Sequence, residues 1–160
     1  MARLRFITKL KLAAIGAAVA ANTAAALYGA YHIDKSARVA WGEARGEPGG
    51  GMQAVLNVMV NRKRDPRFPS TLSGVATQPC QFSAFNDADP NRRKLEAVGE
   101  ENRHYKKAFV LAALAQINLL PDITSGATYY HTTDMPRPAY LADAEVSAVI
   151  GNHVFYRNAD

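Results

Sequence analysis

Between Lys11 and Asp34 the chain carries no Asp, Glu, Lys or Arg, and this uncharged run most constrains what it can fold into. Leu12 to Tyr31 is twenty residues, about the length at which an α-helix spans a bilayer. Its quality as a span is poor. Ten of the residues are Ala and two are Gly, Asn22 and Thr23 interrupt the run, and only Leu12, Ile15, Val19 and Leu27 are strongly apolar. A helix of this composition gains little from burial in lipid. Arg3, Arg5, Lys9 and Lys11 precede it, so the N-terminus is expected in the cytoplasm and the remainder outside. Three readings stay open for residues 1–31: a weak anchor that inserts and later leaves the membrane, a cleaved signal peptide with Ala24-Ala25-Ala26 at the cleavage site, and a permanent anchor. All three export the rest of the chain to a tethered or periplasmic location. Residues 12–31 are the expected contact with the inner membrane.

The 160 residues suffice for one domain with a core, placed here at residues 34–160. The net charge of +5 invites a nucleic-acid partner, but four of those charges sit in the N-terminal cluster. From Asp34 onward fifteen Lys and Arg face fourteen Asp and Glu, so no nucleic-acid partner is expected. Cys80 is the sole cysteine, which rules out an intramolecular disulfide. It lies in a Gln-Pro-Cys-Gln-Phe loop without a paired base and reads as a structural or incidental thiol.

Asp34 reads as the N-cap of a helix in which Ala37, Ala40, Trp41 and Ala44 share a face, stopped by Gly46 and Pro48. After Gly49-Gly50-Gly51, a second helix places Met52, Val55, Leu56, Met59 and Val60 on one apolar face. Gln53, Asn57 and Asn61 recur on another stripe, either solvated or lining a groove. Lys63 to Pro90 is loop-like, with a short turn of helix from Ser70 to Ala76. The region from Glu100 to Asn118 is helical and apolar nearly all round, which predicts a buried central helix. Ala127–His131 and His153–Arg157 are aromatic-rich and read as short strands. The expected fold is α+β, mostly α, a single domain preceded by an N-terminal hydrophobic helix.

Chemistry concentrates in Glu43-Ala44-Arg45-Gly46-Glu47-Pro48. Two carboxylates four residues apart around an Arg can be plain surface charge. A carboxyl held at a helix end beside a cleft can equally serve as the protonated acid that glycosidic cleavage needs. No metal-ligand spacing, nucleophile elbow or phosphate loop is present, and no metal or cofactor is expected.

The wider pattern runs from Ala37-Arg38-Val39-Ala40-Trp41-Gly42-Glu43-Ala44-Arg45-Gly46-Glu47-Pro48 through Gly51-Met52-Gln53-Ala54-Val55 and Val60-Asn61-Arg62. It continues with Phe68-Pro69-Ser70-Thr71-Leu72, Gln81-Phe82-Ser83, Pro121-Asp122-Ile123-Thr124-Ser125-Gly126-Ala127, Tyr129-Tyr130 and Ile150-Gly151-Asn152-His153-Val154-Phe155-Tyr156. This ordered set resembles the spore-cortex-lytic (SleB-type) cell wall hydrolase family. The resemblance implies a lysozyme-like catalytic domain acting on peptidoglycan, with Glu43, the first Glu of the motif, as catalytic acid. It favours a lytic transglycosylase; a hydrolytic muramidase, an amidase and a non-catalytic wall-binding lysis accessory protein remain alternatives. Trp41 is the expected apolar neighbour that keeps Glu43 protonated. Glu47 is expected in a supporting or secondary catalytic role, bonding backbone at the Gly-rich joint. Gln81, Phe82, Tyr129 and Tyr130 are expected to bind substrate, although each suits the core as well. A second carboxylate would come from Asp87, Asp122 or Asp134. The chain departs from the spore enzymes in showing no separate wall-binding domain. Its weak N-terminal segment resembles the signal-anchor-release segments of phage endolysins, which points to a monomeric endolysin.

Overall fold

A computed structural model of the chain describes residues 2–47, 50–79, 81–82 and 92–158, with backbone alone for residues 2–13 and 15. Two compact units are present, Met1–Tyr31 and His32–Asp160. From Ala2 onward the first is helical, as part of helix α1 (Ala2–Ala44). Within it Val19, Leu27 and Tyr28 are exposed, and the Thr23 hydroxyl donates to the Val19 carbonyl one turn back. Among the described residues no helix is long and apolar enough to cross a membrane. The expected hydrophobic span is thus a helix without support as a span. Two of its four strongly apolar side chains, Leu12 and Ile15, lie outside the described ones.

Asp34 does not cap a helix, contrary to the reading of the sequence. The Ala-rich run upstream holds no Pro, so α1 continues through Asp34 to Ala44. The Asp34 carboxylate instead accepts from Arg38 Nε one turn on (2.9 Å) and from the Tyr105 hydroxyl (2.6 Å). Helix α2 (Gly51–Arg64) follows and is buried on nearly every side, with Ala54, Val55, Leu56, Val58 and Met59 fully enclosed. It is the central helix. Next come α3 (Leu72–Ala76), capped by Thr71, α4 (Arg92–Ala97) and α5 (Arg103–Gln116), capped by the Asn102 side chain on His104 and Tyr105 N–H.

Helix α5 is not the buried centre that its all-round apolar pattern predicts. It turns a stripe of small residues inward, with Tyr105, Ala108, Ala112 and Ala115 buried, and leaves Val110 59% exposed. Alanine lets two helices approach closely, so the small face packs and the bulky one stays out.

Three strands complete the second unit: β1 (Tyr129–Thr132), β2 (Glu145–Ile150) and β3 (His153–Arg157), antiparallel in the order β1-β3-β2. The sequence reading found β1 and β3 but missed β2. β2 and β3 form a hairpin around Gly151-Asn152, with Gly151 in the left-handed region at φ 57°. Phe155, Ala127, Ala54 and Val58 make the contact between sheet and α2.

Candidate active site

Glu43 stands in the last turn of α1, half-buried. The Tyr130 hydroxyl donates to its Oε2 at 3.3 Å across 87 residues of chain. Strand alternation puts Tyr130 on the sheet face that packs on α2, in register with Phe155. Its ring is held edge-on by His153 at 5.2 Å and against Phe155 at 5.5 Å. Burial pushes the Tyr130 phenol well above its ordinary pKa, and the Glu43 carboxylate adds to this. It is therefore a fixed proton donor to Glu43.

The neighbours of Glu43 differ from expectation in two respects. Trp41 is buried in the main core, and side chains two apart on a helix do not face each other. Arg45 folds back over the Trp41 ring at 4.5 Å and donates to the Gly42 carbonyl.

Glu47 reaches a different place from Glu43. Its carboxylate accepts the Asn152 backbone N–H (2.9 Å) and side-chain amide (3.3 Å), so it ties the α1–α2 joint to the β2–β3 turn rather than to the glycines.

The expected sugar-binding residues are not brought together. Of the four, Tyr130 is the one with a hydrogen bond to Glu43 among the described residues. Tyr129, the next residue, faces the other side of the sheet, where its ring meets Phe68 (6.0 Å) and Tyr140 (6.3 Å). Phe82 is buried in the main core, with the Arg62 guanidinium 5.5 Å from its ring centre. Gln81 is exposed on the turn before it. Cys80 and Asp87 lie outside the described residues. A cavity of about 450 Å³ beside Asn61 and Arg157 and one of about 530 Å³ beside Asp34 and Tyr105 do not have Glu43 in their walls.

The amide stripe of α2 is engaged by a loop, with Gln53 and Asn61 only partly buried and Asn61 also in the wall of the cavity of about 450 Å³. Gln53 and Asn57 both donate to the Pro121 carbonyl, Asn57 accepts from Ile123 N–H, and Asn61 donates to the Ala127 carbonyl. The stripe stitches the 121–127 loop to α2, and that loop leads into β1. Asp122 belongs to the same device. Burial works against its charge, but Thr124, Asn61 and Gly126 hydrogen bonds hold its pKa below the usual carboxylate value. These partners leave it little capacity to act as a second catalytic carboxylate.

The fold is that of the SleB catalytic domains. The Bacillus cereus SleB catalytic domain matches with a TM-score of 0.63 and 30% identity, over 79% of this chain and 89% of that one. The catalytic domain of the germination-specific lytic transglycosylase SleB from Bacillus anthracis matches at 0.63 and 32%, over 79% and 93%. The chain belongs to the cell wall hydrolase family, whose profile matches residues 46–156. That span includes Glu47 and begins just after Glu43. Spore cortex-lytic enzymes of Halalkalibacterium halodurans and Bacillus subtilis are each 32% identical, over 77% and 74% of this chain. The chain spans 34% and 35% of their respective lengths.

Proposed function

We propose that this domain cleaves peptidoglycan glycan strands between N-acetylmuramic acid and N-acetylglucosamine, with Glu43 as the single catalytic acid. The hydrogen bond from Tyr130 to a half-buried carboxyl at the end of α1 carries the reading. Membership of the cell wall hydrolase family supports the substrate class. The last turn of a helix disfavours negative charge, which suits a carboxyl that must start out neutral.

In a lytic transglycosylase one carboxyl suffices. Glu43 gives its proton to the bridging oxygen as the glycosidic C–O bond breaks. The carboxylate so formed takes the proton of the muramic 6-hydroxyl, whose oxygen closes on the anomeric carbon to give a 1,6-anhydro end. The name of the Bacillus anthracis relative supports this outcome over hydrolysis. A hydrolytic muramidase needs a second carboxylate across the sugar, and Asp122 is engaged in the loop.

Mass spectrometry of muropeptides released from purified sacculi tests the reading. Anhydro-muropeptides are expected; reducing ends would mean a muramidase, and free stem peptides an amidase. Glu43→Gln is expected to lower the rate by about 10²- to 10⁴-fold. Undiminished lysis by that variant would favour a wall-binding accessory protein instead.

The biological role follows as part of the proposal: a monomeric endolysin, exported and held weakly at the inner membrane by residues 12–31. The long uncharged run behind a basic cluster supports it. Replacing several Ala residues between Ala13 and Ala26 with Leu should trap the protein in the membrane and delay lysis. Unchanged release would remove the anchor from the proposal.

A further inference from the structure

Among the described residues Arg62 is the only Lys, Arg, Asp or Glu in the buried class, at 4% exposed. Taking a guanidinium out of water costs free energy that a carboxylate normally offsets. Arg62 forms no ion pair among the described residues. Its surroundings are aromatic. The guanidinium carbon lies 5.2 Å from the Phe68 ring centre, 5.5 Å from that of Phe82 and 5.6 Å from that of Tyr129. Its Nε donates to the Thr128 carbonyl at 2.7 Å, and its Nη1 is buried without a hydrogen-bond partner. Thr128 is two residues before Tyr130. A charge kept at such cost, bonded to the strand that carries Tyr130, calls for a reason.

We infer that Arg62 is a positioning residue for the Glu43 acid: it pins the start of β1 through Thr128, and its unneutralised charge polarises the Tyr130 hydroxyl that donates to Glu43. The inference rests on the reading of Glu43 as the acid. As Glu43 releases its proton its carboxyl gains negative charge, and a donor already aimed at it stabilises that charge without reorganisation. A cation held in a poorly screened environment makes the phenol a better donor. In line with this, Arg62 pulls the Tyr130 pKa downward against the larger upward push of burial. At Tyr130, Glu43 from α1 touches the hydroxyl and His153 from β3 packs edge-on against the ring, while Arg62 from α2 acts on it by its charge, with no hydrogen bond or ring contact between the two side chains. Burial lowers the His153 pKa, so near neutrality Arg62 supplies the positive charge there.

The pH profile of the maximal rate on sacculi tests the assignment, using the full chain. Activity falls at high pH as Glu43 loses its proton. Without the Arg62 charge the carboxylate is less favoured, so Arg62→Met is expected to move the alkaline limb up by about half a unit and to lower the rate about tenfold. Arg62→Lys keeps the charge and is expected to retain the wild-type limb and recover part of the rate. An unmoved limb in the Met variant, or equal behaviour of both variants, overturns the inference. Should the Met variant not fold, Arg62→Lys is compared in wild-type and Tyr130→Phe backgrounds. A smaller loss in the Tyr130→Phe background is expected, and equal losses overturn the role. Glu43→Gln is assayed alongside. Activity in that variant brings down the catalytic assignment itself, whereas its inactivity with an unmoved Arg62→Met limb brings down the Arg62 role alone.

Discussion

Gly51 and Glu47 explain each other. A Cβ at position 51 would lie 2.6 Å from Glu47 Cβ and 3.3 Å from Ala44 Cβ, so any larger residue displaces the chain just past Glu43. Gly50 is glycine for another reason, since its φ of 101° is left-handed. What reads in sequence as a flexible joint is a close contact and a fixed turn. Gly51→Ala is expected to cost about 1–3 kcal/mol of stability by urea unfolding, with a fall in activity as the end of α1 shifts. A change under about 0.5 kcal/mol, the range of indifferent surface sites, would mean that the joint gives way freely. Tyr130 invites a second single-atom test. Tyr130→Phe removes the oxygen that bonds Glu43 and, if Glu43 is the acid proposed above, should lower kcat about tenfold or more with little change in KM.

The amides of α2 show how an element can be legible in sequence while its job is not. Period 3.6 located the helix and its apolar face, and it also lined up Gln53, Asn57 and Asn61. Periodicity gives a direction around the helix axis, but it does not say which loop fills that direction. Here the 121–127 loop does, through backbone carbonyls and N–H groups that carry no signal in side-chain identity. The same limit misplaced the centre of the fold. Ala108, Ala112 and Ala115 form the buried face of α5 because they are small, with Tyr105 anchored on the same face by its bond to Asp34, while hydropathy alone favours the bulkier side. β2 escaped notice because Val146 and Val149 face solvent, so it lacks the alternation of a half-buried strand. Glu43 as a candidate acid is legible through the motif around it; Tyr130 as its hydrogen-bond partner depends on strand alternation against a sheet that the sequence only half reveals. Asn57 offers the quantitative test at this scale. It is 1% exposed and serves both a carbonyl and an N–H, so Asn57→Ala is expected to cost about 1–3 kcal/mol by chemical denaturation, the Ile123 N–H losing its partner and the Pro121 carbonyl keeping only Gln53. Gln53, on the exposed end of the stripe, shares the Pro121 carbonyl, and Gln53→Ala should cost about 0.5–1 kcal/mol. Equal costs would mean that the stripe is not graded by burial.

The unit His32–Asp160 as a whole is fastened by groups whose charge depends on pH, in two separate windows. Asp34 and Asp122 belong to the lower one. Burial opposes their charge, yet hydrogen bonds from Arg38 and Tyr105 on one, and from Thr124, Asn61 and Gly126 on the other, hold both below the ordinary carboxylate value of 3.8. Their share of stability is present above that value and is lost as pH falls through their lower folded pKa values. His153 acts earlier. It is 4% exposed, and burial lowers its pKa below 6.5, with His131 adding to the effect and Glu47 and Asp134 working against it. In the unfolded chain it takes up a proton near its ordinary pKa of about 6.5, whereas the folded protein must be taken lower. The unfolded state thus binds more protons in that interval, and stability declines as the solution is acidified through it. His32, also lowered by burial, contributes in the same direction. Urea midpoints at pH 7.5 and 5.5 should show the decline, and His153→Gln should flatten it while lowering stability at both pH values, since the ring that packs on Tyr130 is gone. An unchanged slope in that variant would assign the proton uptake to other groups, and the hairpin beneath the active site would then be indifferent to pH in this range.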